Sequence, residues 1–258
     1  MRGVLVFLYG VICYLVFFLT FLYAIAFVAD IGVPHTVDRG YATGTLAMAV
    51  VIDAVLLGIF AVQHSGMARR GFKRWLTSWL PESAERSTFV LLSSAALILL
   101  YWQWRPLPDV IWTVRPDWAV YLLYALCAFG WLLVLSGTFV INHFDLFGLR
   151  QAWLAVRGKA YTPLVFKKHF YYQMVRHPLM LGFVIAFWAT PRMTTSHLLF
   201  AIATTGYILI AVKFFEERDL VVAHGEDYRR YQHEVPMICP WPRPRRAVKP
   251  AAPVQPQG

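Results

Sequence analysis

The feature that most constrains this chain is the run from Val4 to Val28, which holds no charged residue. A helix rises about 1.5 Å per residue and a bilayer's hydrocarbon core is ~30 Å thick, so about 20 apolar residues are enough to cross it. The run exceeds that length. It also exceeds the roughly 7–15 apolar residues of a cleaved signal peptide, although Arg2 precedes it and Ala24-Ile25-Ala26 resembles a cleavage site. Further apolar runs follow at 43–63, 88–104, 118–141, 179–190 and 197–215. The run 179–190 is short for an untilted span, and Pro191-Arg192 separates it from the last one, so the two read as one hairpin. The expected fold class is an all-α integral membrane protein with five or six transmembrane helices. Composition agrees, since 59% of the residues are hydrophobic and only 15% charged. Soluble domains stand nearer 45–50% apolar, roughly.

The charge distribution sets an orientation. Basic residues cluster in three segments: Arg69, Arg70, Lys73, Arg74 and Arg86; then Arg150, Arg157, Lys159, Lys167, Lys168 and Arg176; then Arg218, Arg229, Arg230, Arg243, Arg245, Arg246 and Lys249. The alternate connections carry only Arg39, Arg105, Arg115 and Arg192. Cytoplasmic loops hold the excess of Lys and Arg, so the three basic segments and both termini are expected in the cytoplasm. This pattern also answers the formal charge of +10: the basic residues flank spans and form no single stripe, so nucleic acid is not an expected partner and the bilayer is. Cys13, Cys127 and Cys239 show no CxxC or Cys/His spacing, so neither a disulfide framework nor a metal site is expected. From Trp241 onward the chain is Pro-rich and basic, and a disordered tail over 241–258 is expected near the anionic leaflet.

One cluster carries chemistry. Arg176-His177-Pro178 opens an apolar run, Glu216-Glu217 closes the next, and Gly225, Tyr228, Tyr231 and Val235-Pro236 follow. Pro178 suits a first helical position and biases His177 toward an extended backbone, which leaves free helix N–H groups suited to a carboxylate. Two adjacent acids near membrane depth are costly unless they meet a cation or a polar ligand. Tyr228 and Tyr231, three apart, are placed to cover an aromatic ring.

Arg-His-Pro-x-x-x-Gly, the Glu-Glu pair about forty residues on, then Gly-x-x-Tyr-x-x-Tyr and Val-Pro together resemble the isoprenylcysteine carboxyl methyltransferase and phospholipid N-methyltransferase superfamily over residues 165 to 240. The pattern departs from the carboxyl methyltransferases at Met180, where they have tyrosine, and at Val212-Lys213, where they have an arginine one turn before the acids. A substrate carboxylate would lack its partner. Ile141-Asn142-His143-Phe144-Asp145-Leu146-Phe147-Gly148-Leu149-Arg150-Gln151, with Gln63-His64-Ser65, Ala186-Phe187-Trp188-Ala189-Thr190-Pro191 and Glu216-Glu217-Arg218-Asp219-Leu220, is similar to the bacterial methanethiol S-methyltransferases. That resemblance implies transfer of a methyl group from S-adenosylmethionine to a small volatile thiol, methanethiol to dimethyl sulfide, in the bacterial inner membrane. It implies cofactor contacts from Tyr172, Arg176, His177, Pro178, Met180, Gly182, Glu216, Glu217, Tyr228 and Tyr231. Forming the thiolate calls for a base, and His64 or His143, at the cytoplasmic ends of different spans, is expected to supply it, steadied by Asp145. The resemblance also divides the chain into four membrane helices over 1–164, a methyltransferase core over 165–240 with its cofactor site on the cytoplasmic side, and the tail. The alternatives are methylation of a lipid amine or isoprenoid carboxylate, and a non-catalytic protein of the same fold.

Several residues have a plainer reading beside the functional one. Lys213 and Glu217 are spaced for a helix-surface ion pair, which favours Glu216 as the ligand-facing acid. Asp53, mid-span, is either functional or an acid packed between helices. Trp102, Trp104, Trp112 and Trp118 read as an interfacial belt.

Overall fold

A computed structural model describes residues 2–41, 44–107, 109–162 and 170–240. The expected tail over 241–258 lies outside them. Five helices are long and apolar enough to cross a membrane: α1 (Arg2–Ala29), α2 (Leu46–Met67), then, after a short α3 (Arg70–Thr77), α4 (Glu82–Gln103), then α5 (Asp117–Ile141). Two short helices, α6 (His143–Leu146) and α7 (Leu149–Val156), lead to α8 (Pro178–Trp188). The fifth long helix begins as α9 (Thr195–Ala211), passes through a π-helical turn over Val212–Glu216, and continues as α10 (Glu217–Glu234). The chain is thus a multi-pass all-α membrane protein, with five helices among the described residues able to span. α8 is the exception, too short to cross.

α8 is held against α5 by a close backbone contact. Its Gly182 meets Gly130 of α5 so closely that a Cβ on either glycine would stand 2.7 Å from a backbone atom of the other helix. Small residues that let two backbones touch are a common means of joining helices in lipid, where apolar surface alone gives no preference for protein over acyl chain. Gly182, expected from the resemblance as a cofactor contact, therefore packs a helix pair. Met180 likewise packs against the main apolar cluster.

The bundle has two distinct ends. At one, the loop after α1, the end of α4 and the start of α9 are tied by Trp104, which is fully buried and donates its indole N–H to Val37 O at 3.1 Å and Ser196 Oγ at 2.9 Å. Trp104 therefore leaves the expected interfacial belt, while Trp102 and Trp118 are exposed. Here β1 (Val110–Thr113) pairs antiparallel with β2 (Arg192–Thr194), a small ribbon that the apolar runs did not announce. Asp53 is completely buried and accepts the backbone N–H of Arg105 at 2.8 Å, which makes it an acid packed between helices. At the other end the basic segments gather. Gly3 of α1 lies against Ala155, Arg86 donates to Leu146 O at 2.7 Å, and Arg69 pairs with Asp219 at 3.4 Å.

The glycine contact gives a test. Gly130→Leu forces α5 and α8 apart, and overpacking of this kind costs roughly 1–3 kcal/mol or more. Its thermal midpoint in detergent should fall well below that of Gly58→Leu, whose position has no atom within 4 Å of an added Cβ. Equal midpoints would contradict the packing described.

Candidate active site at the basic end of the bundle

Pro178 occupies the first turn of α8, as its fixed φ and missing N–H favour. His177 before it adopts φ −125° and ψ 66°, outside the helical region though not fully extended. Residues 176 and 177 lie alongside the chain's C-terminal segment: Arg176 N donates to Pro236 O at 2.9 Å and His177 N to Met237 O at 3.0 Å. Val235, held extended at φ −119° and ψ 134° before a proline, starts that segment.

The side chains tighten this pairing. Arg176 is buried and its guanidinium meets Glu217 Oε1 at 2.6 Å from two nitrogens, while a third reaches the carbonyls of Gln232, at 2.9 Å, and Val235. Glu217 also lies 3.3 Å from His177 Nε2 and accepts Gln232 Nε2 at 3.1 Å. His177 Nδ1 stands 3.5 Å from Glu216 Oε1. Burial disfavours the imidazolium, but the hydrogen bonds and charges of Glu216 and Glu217 outweigh it and hold the His177 pKa up at about 9.

The adjacent acids therefore divide. Glu217, at 11% side-chain exposure, turns inward and is spent on Arg176, His177 and Gln232, whereas Glu216 is 45% exposed. The expected Lys213–Glu217 surface pair does not form. Lys213 points outward over the Phe214 ring, 5.6 Å from its centroid. The π-helical turn that carries Glu216 is a local widening of a kind found frequently at functional sites.

Tyr228 and Tyr231 are buried, in a cluster with Val235, and Tyr231 donates its hydroxyl to Tyr172 O at 2.5 Å. They reach this position because α10 bends at Gly225, whose φ of 58° and ψ of −132° suit glycine alone. Their rings are covered by protein, so the expected stacking face for an aromatic ligand is not open. Tyr172 is partly buried, and burial with the nearby Glu216 pushes its phenol above the ordinary range.

The three residues expected to be catalytic occupy separate places. His143 is buried, stacked on Phe139, with Nδ1 2.8 Å from Thr138 Oγ1 and Nε2 2.8 Å from the Tyr14 hydroxyl. Thr138 donates its own proton to Leu135 O at 2.6 Å, so it accepts from Nδ1–H, and Nε2 accepts from Tyr14. Burial lowers the His143 pKa. Asp145 does not steady this ring. It pairs with Arg150 at 2.7 Å and accepts the Tyr161 hydroxyl at 3.2 Å. His64 lies between Phe60 and Phe89, with Nδ1 3.3 Å from Ser93 Oγ. Among the described residues its Nε2 has no hydrogen-bond partner. Sequence reasoning missed Gln232, Tyr14 and Thr138. A hydroxyl inside an apolar run gives no sign of which distant histidine it meets.

With this geometry in view, the comparisons with known proteins are informative. The family model described as NnrU protein matches residues 53–235. Methanethiol S-methyltransferase of Mycobacterium tuberculosis is 59% identical over 242 residues, which cover 94% of this chain and 98% of that protein. The chain belongs to the NnrU family and groups with the methanethiol S-methyltransferases. Methanethiol S-methyltransferase 1 of Bradyrhizobium diazoefficiens is 53% identical over 92% of this chain and 82% of its own length. Nurim of Rattus norvegicus is 30% identical over 70% of this chain and 71% of its own. No solved structure matches. The NnrU span runs from Asp53 to Val235, so it contains the Arg176–Glu217 pair and His64 but not α1 with Tyr14.

The buried charges predict a pH response. Because the folded pKa of His177 lies above its ordinary ~6.5, its contribution to stability is complete below about pH 6.5 and is lost as pH rises through about 9. The thermal midpoint should drop over that window, and His177→Gln should flatten the drop. Glu217→Ala strands the Arg176 guanidinium and should destabilise by ~3–5 kcal/mol. An unchanged midpoint in Glu217→Ala would sink this account of the lock.

Proposed function

We propose that this chain transfers a methyl group from S-adenosylmethionine to methanethiol at the basic end of its bundle, and that this end faces the cytoplasm. The observation that carries the reading is the identity of 59% over 94% of the chain with a methanethiol S-methyltransferase. The residues present fit the donor. Glu216 offers an accessible carboxylate beside His177, suited to the donor's polar groups. Val212 is fully buried and leaves no cation where a carboxylate substrate needs one, which favours a small neutral thiol.

When bound, the donor supplies a methyl group on a sulfonium. Displacement by sulfur needs alignment and exclusion of water more than covalent help, and the aromatic wall of Phe60, Phe89 and Tyr207 around the end of α2 supplies an apolar setting. The thiol must lose its proton as its sulfur bonds to the methyl carbon and the sulfonium carbon–sulfur bond breaks. An alkanethiol is at least as weak an acid as the cysteine side chain, whose pKa is about 8.5, so it gains from a base here. His64 is better placed than His143 for this role, because the acceptor nitrogen of His143 is already occupied by Tyr14. Asp145 then positions Arg150 and Tyr161 and does not assist the base.

Membranes supplied with S-adenosylmethionine and methanethiol should release dimethyl sulfide, read by headspace gas chromatography. His64→Ala should lower the rate by about 10²- to 10⁴-fold and regain part of it at higher pH, where thiolate is already present. Membranes with folded wild-type protein that release none would contradict the function. A normal rate in His64→Ala would remove the base.

A further inference from the structure

The basic end contains a second feature that the sequence motifs did not mark. A cleft of about 560 Å³ lies between the start of α4, the end of α5 and the end of α7. That size falls within the roughly 300–1,000 Å³ typical of small-molecule sites. Its wall carries three cations, Lys73, Arg86 and Lys159, and three acids, Glu82, Glu85 and Asp145.

The charged groups of this wall are unevenly spent. Lys73 and Glu85 face each other at 4.0 Å, and Asp145 is paired with Arg150. Among the described residues Arg86 forms no ion pair. Its Nε donates to Leu146 O at 2.7 Å and its guanidinium lies over the Phe89 ring, 4.9 Å from the centroid. Among the described residues its two terminal nitrogens donate to no protein atom. A planar guanidinium fixed on one edge and open on the other is suited to receive a carboxylate with two parallel hydrogen bonds. In the same wall, Gln151 gives its amide N–H to Asp145 O at 3.1 Å and leaves its buried Oε1 without a partner. That oxygen is an acceptor, and buried acceptors are rarely left unused.

An open double donor and an unused acceptor, in a wall whose formal charges balance, match a ligand end that carries both signs. A simple anion would meet three acids, and a simple cation three bases. We propose that this cleft binds the α-amino-acid end of the methyl donor, with Arg86 holding its carboxylate and Gln151 Oε1 and Asp145 facing its ammonium. The inference rests on the reading of S-adenosylmethionine as donor. It fits the placement of His64, because Arg86 and His64 both lie against the Phe89 ring, 4.9 and 5.0 Å from its centroid. A donor anchored at Arg86 can therefore lie past His64, leaving Glu216 for the ribose diol.

The test separates the two ends of the molecule. Calorimetry on purified protein in detergent would compare S-adenosylmethionine with 5′-methylthioadenosine, which lacks the amino-acid end. Arg86→Gln should weaken S-adenosylmethionine at least tenfold and leave 5′-methylthioadenosine within twofold. Weakening of neither, or of both alike, overturns the assignment. A wild-type protein that binds neither compound fails the donor reading itself, which is a distinct outcome. Should Arg86→Gln not fold, Ser83→Cys in a Cys239→Ser background places a thiol in the cleft wall. S-adenosylmethionine should slow alkylation of that thiol and 5′-methylthioadenosine should not. Equal alkylation rates with and without S-adenosylmethionine again overturn the proposal.

Discussion

A guanidinium and a carboxylate buried at the end of a helix bundle each cost several kcal/mol in lost hydration, unless nearly all their hydrogen bonds are met. Arg176 and Glu217 meet theirs by drawing in parts of the chain distant in sequence: Gln232, the carbonyls of 232 and 235, and His177. The start of α8, the turn between α9 and α10, and the segment after α10 are fixed to one another by this one contact. Glu216 owes its exposed position to the same arrangement, because its neighbour in sequence has taken the inward place.

Lipid sets the terms on which this site is built. Apolar side chains gain little by leaving acyl chains for protein, so the helices meet through small residues and hydrogen bonds. Gly130 against Gly182 brings α8 onto α5, and Trp104 ties three connections at the opposite end. α8 stops short of a full span and begins at Pro178, where its first turn sits beside the charged cluster. The buried pair of Arg176 and Glu217, with His177, stands at the basic end.

Much of this was legible in the sequence. The apolar runs marked the five long helices, closely for α1 and α5, while α4 begins at Glu82, ahead of its run, and the last helix continues past 215 to Glu234, because hydropathy marks the part that crosses a bilayer and not the polar turns that extend it. The grouping of Arg176-His177 with the Glu-Glu motif was visible as a motif, though as contacts to a ligand and not as a buried ion pair, and Pro178 marked its helix start. The division of labour between Glu216 and Glu217 was not legible, since it depends on a π-helical turn that no local preference announces. Gly182 and Trp104 were read as ligand contact and membrane belt. Their partners, Gly130, Val37 and Ser196, lie far away in the chain, and only tertiary packing reveals them. For the same reason His143 is held by Tyr14 and Thr138 and not by Asp145, two residues on.

The central claim is that the two adjacent acids serve different ends, Glu217 the fold and Glu216 the methyl donor. Isothermal titration of S-adenosylmethionine into Glu216→Ala and Lys213→Ala, each matched to wild type for thermal midpoint, tests it most directly. The account predicts that Glu216→Ala binds at least tenfold more weakly at an unchanged midpoint, while Lys213→Ala binds as wild type does. Equal affinities in the two variants, or a collapse of the midpoint in Glu216→Ala, would contradict it.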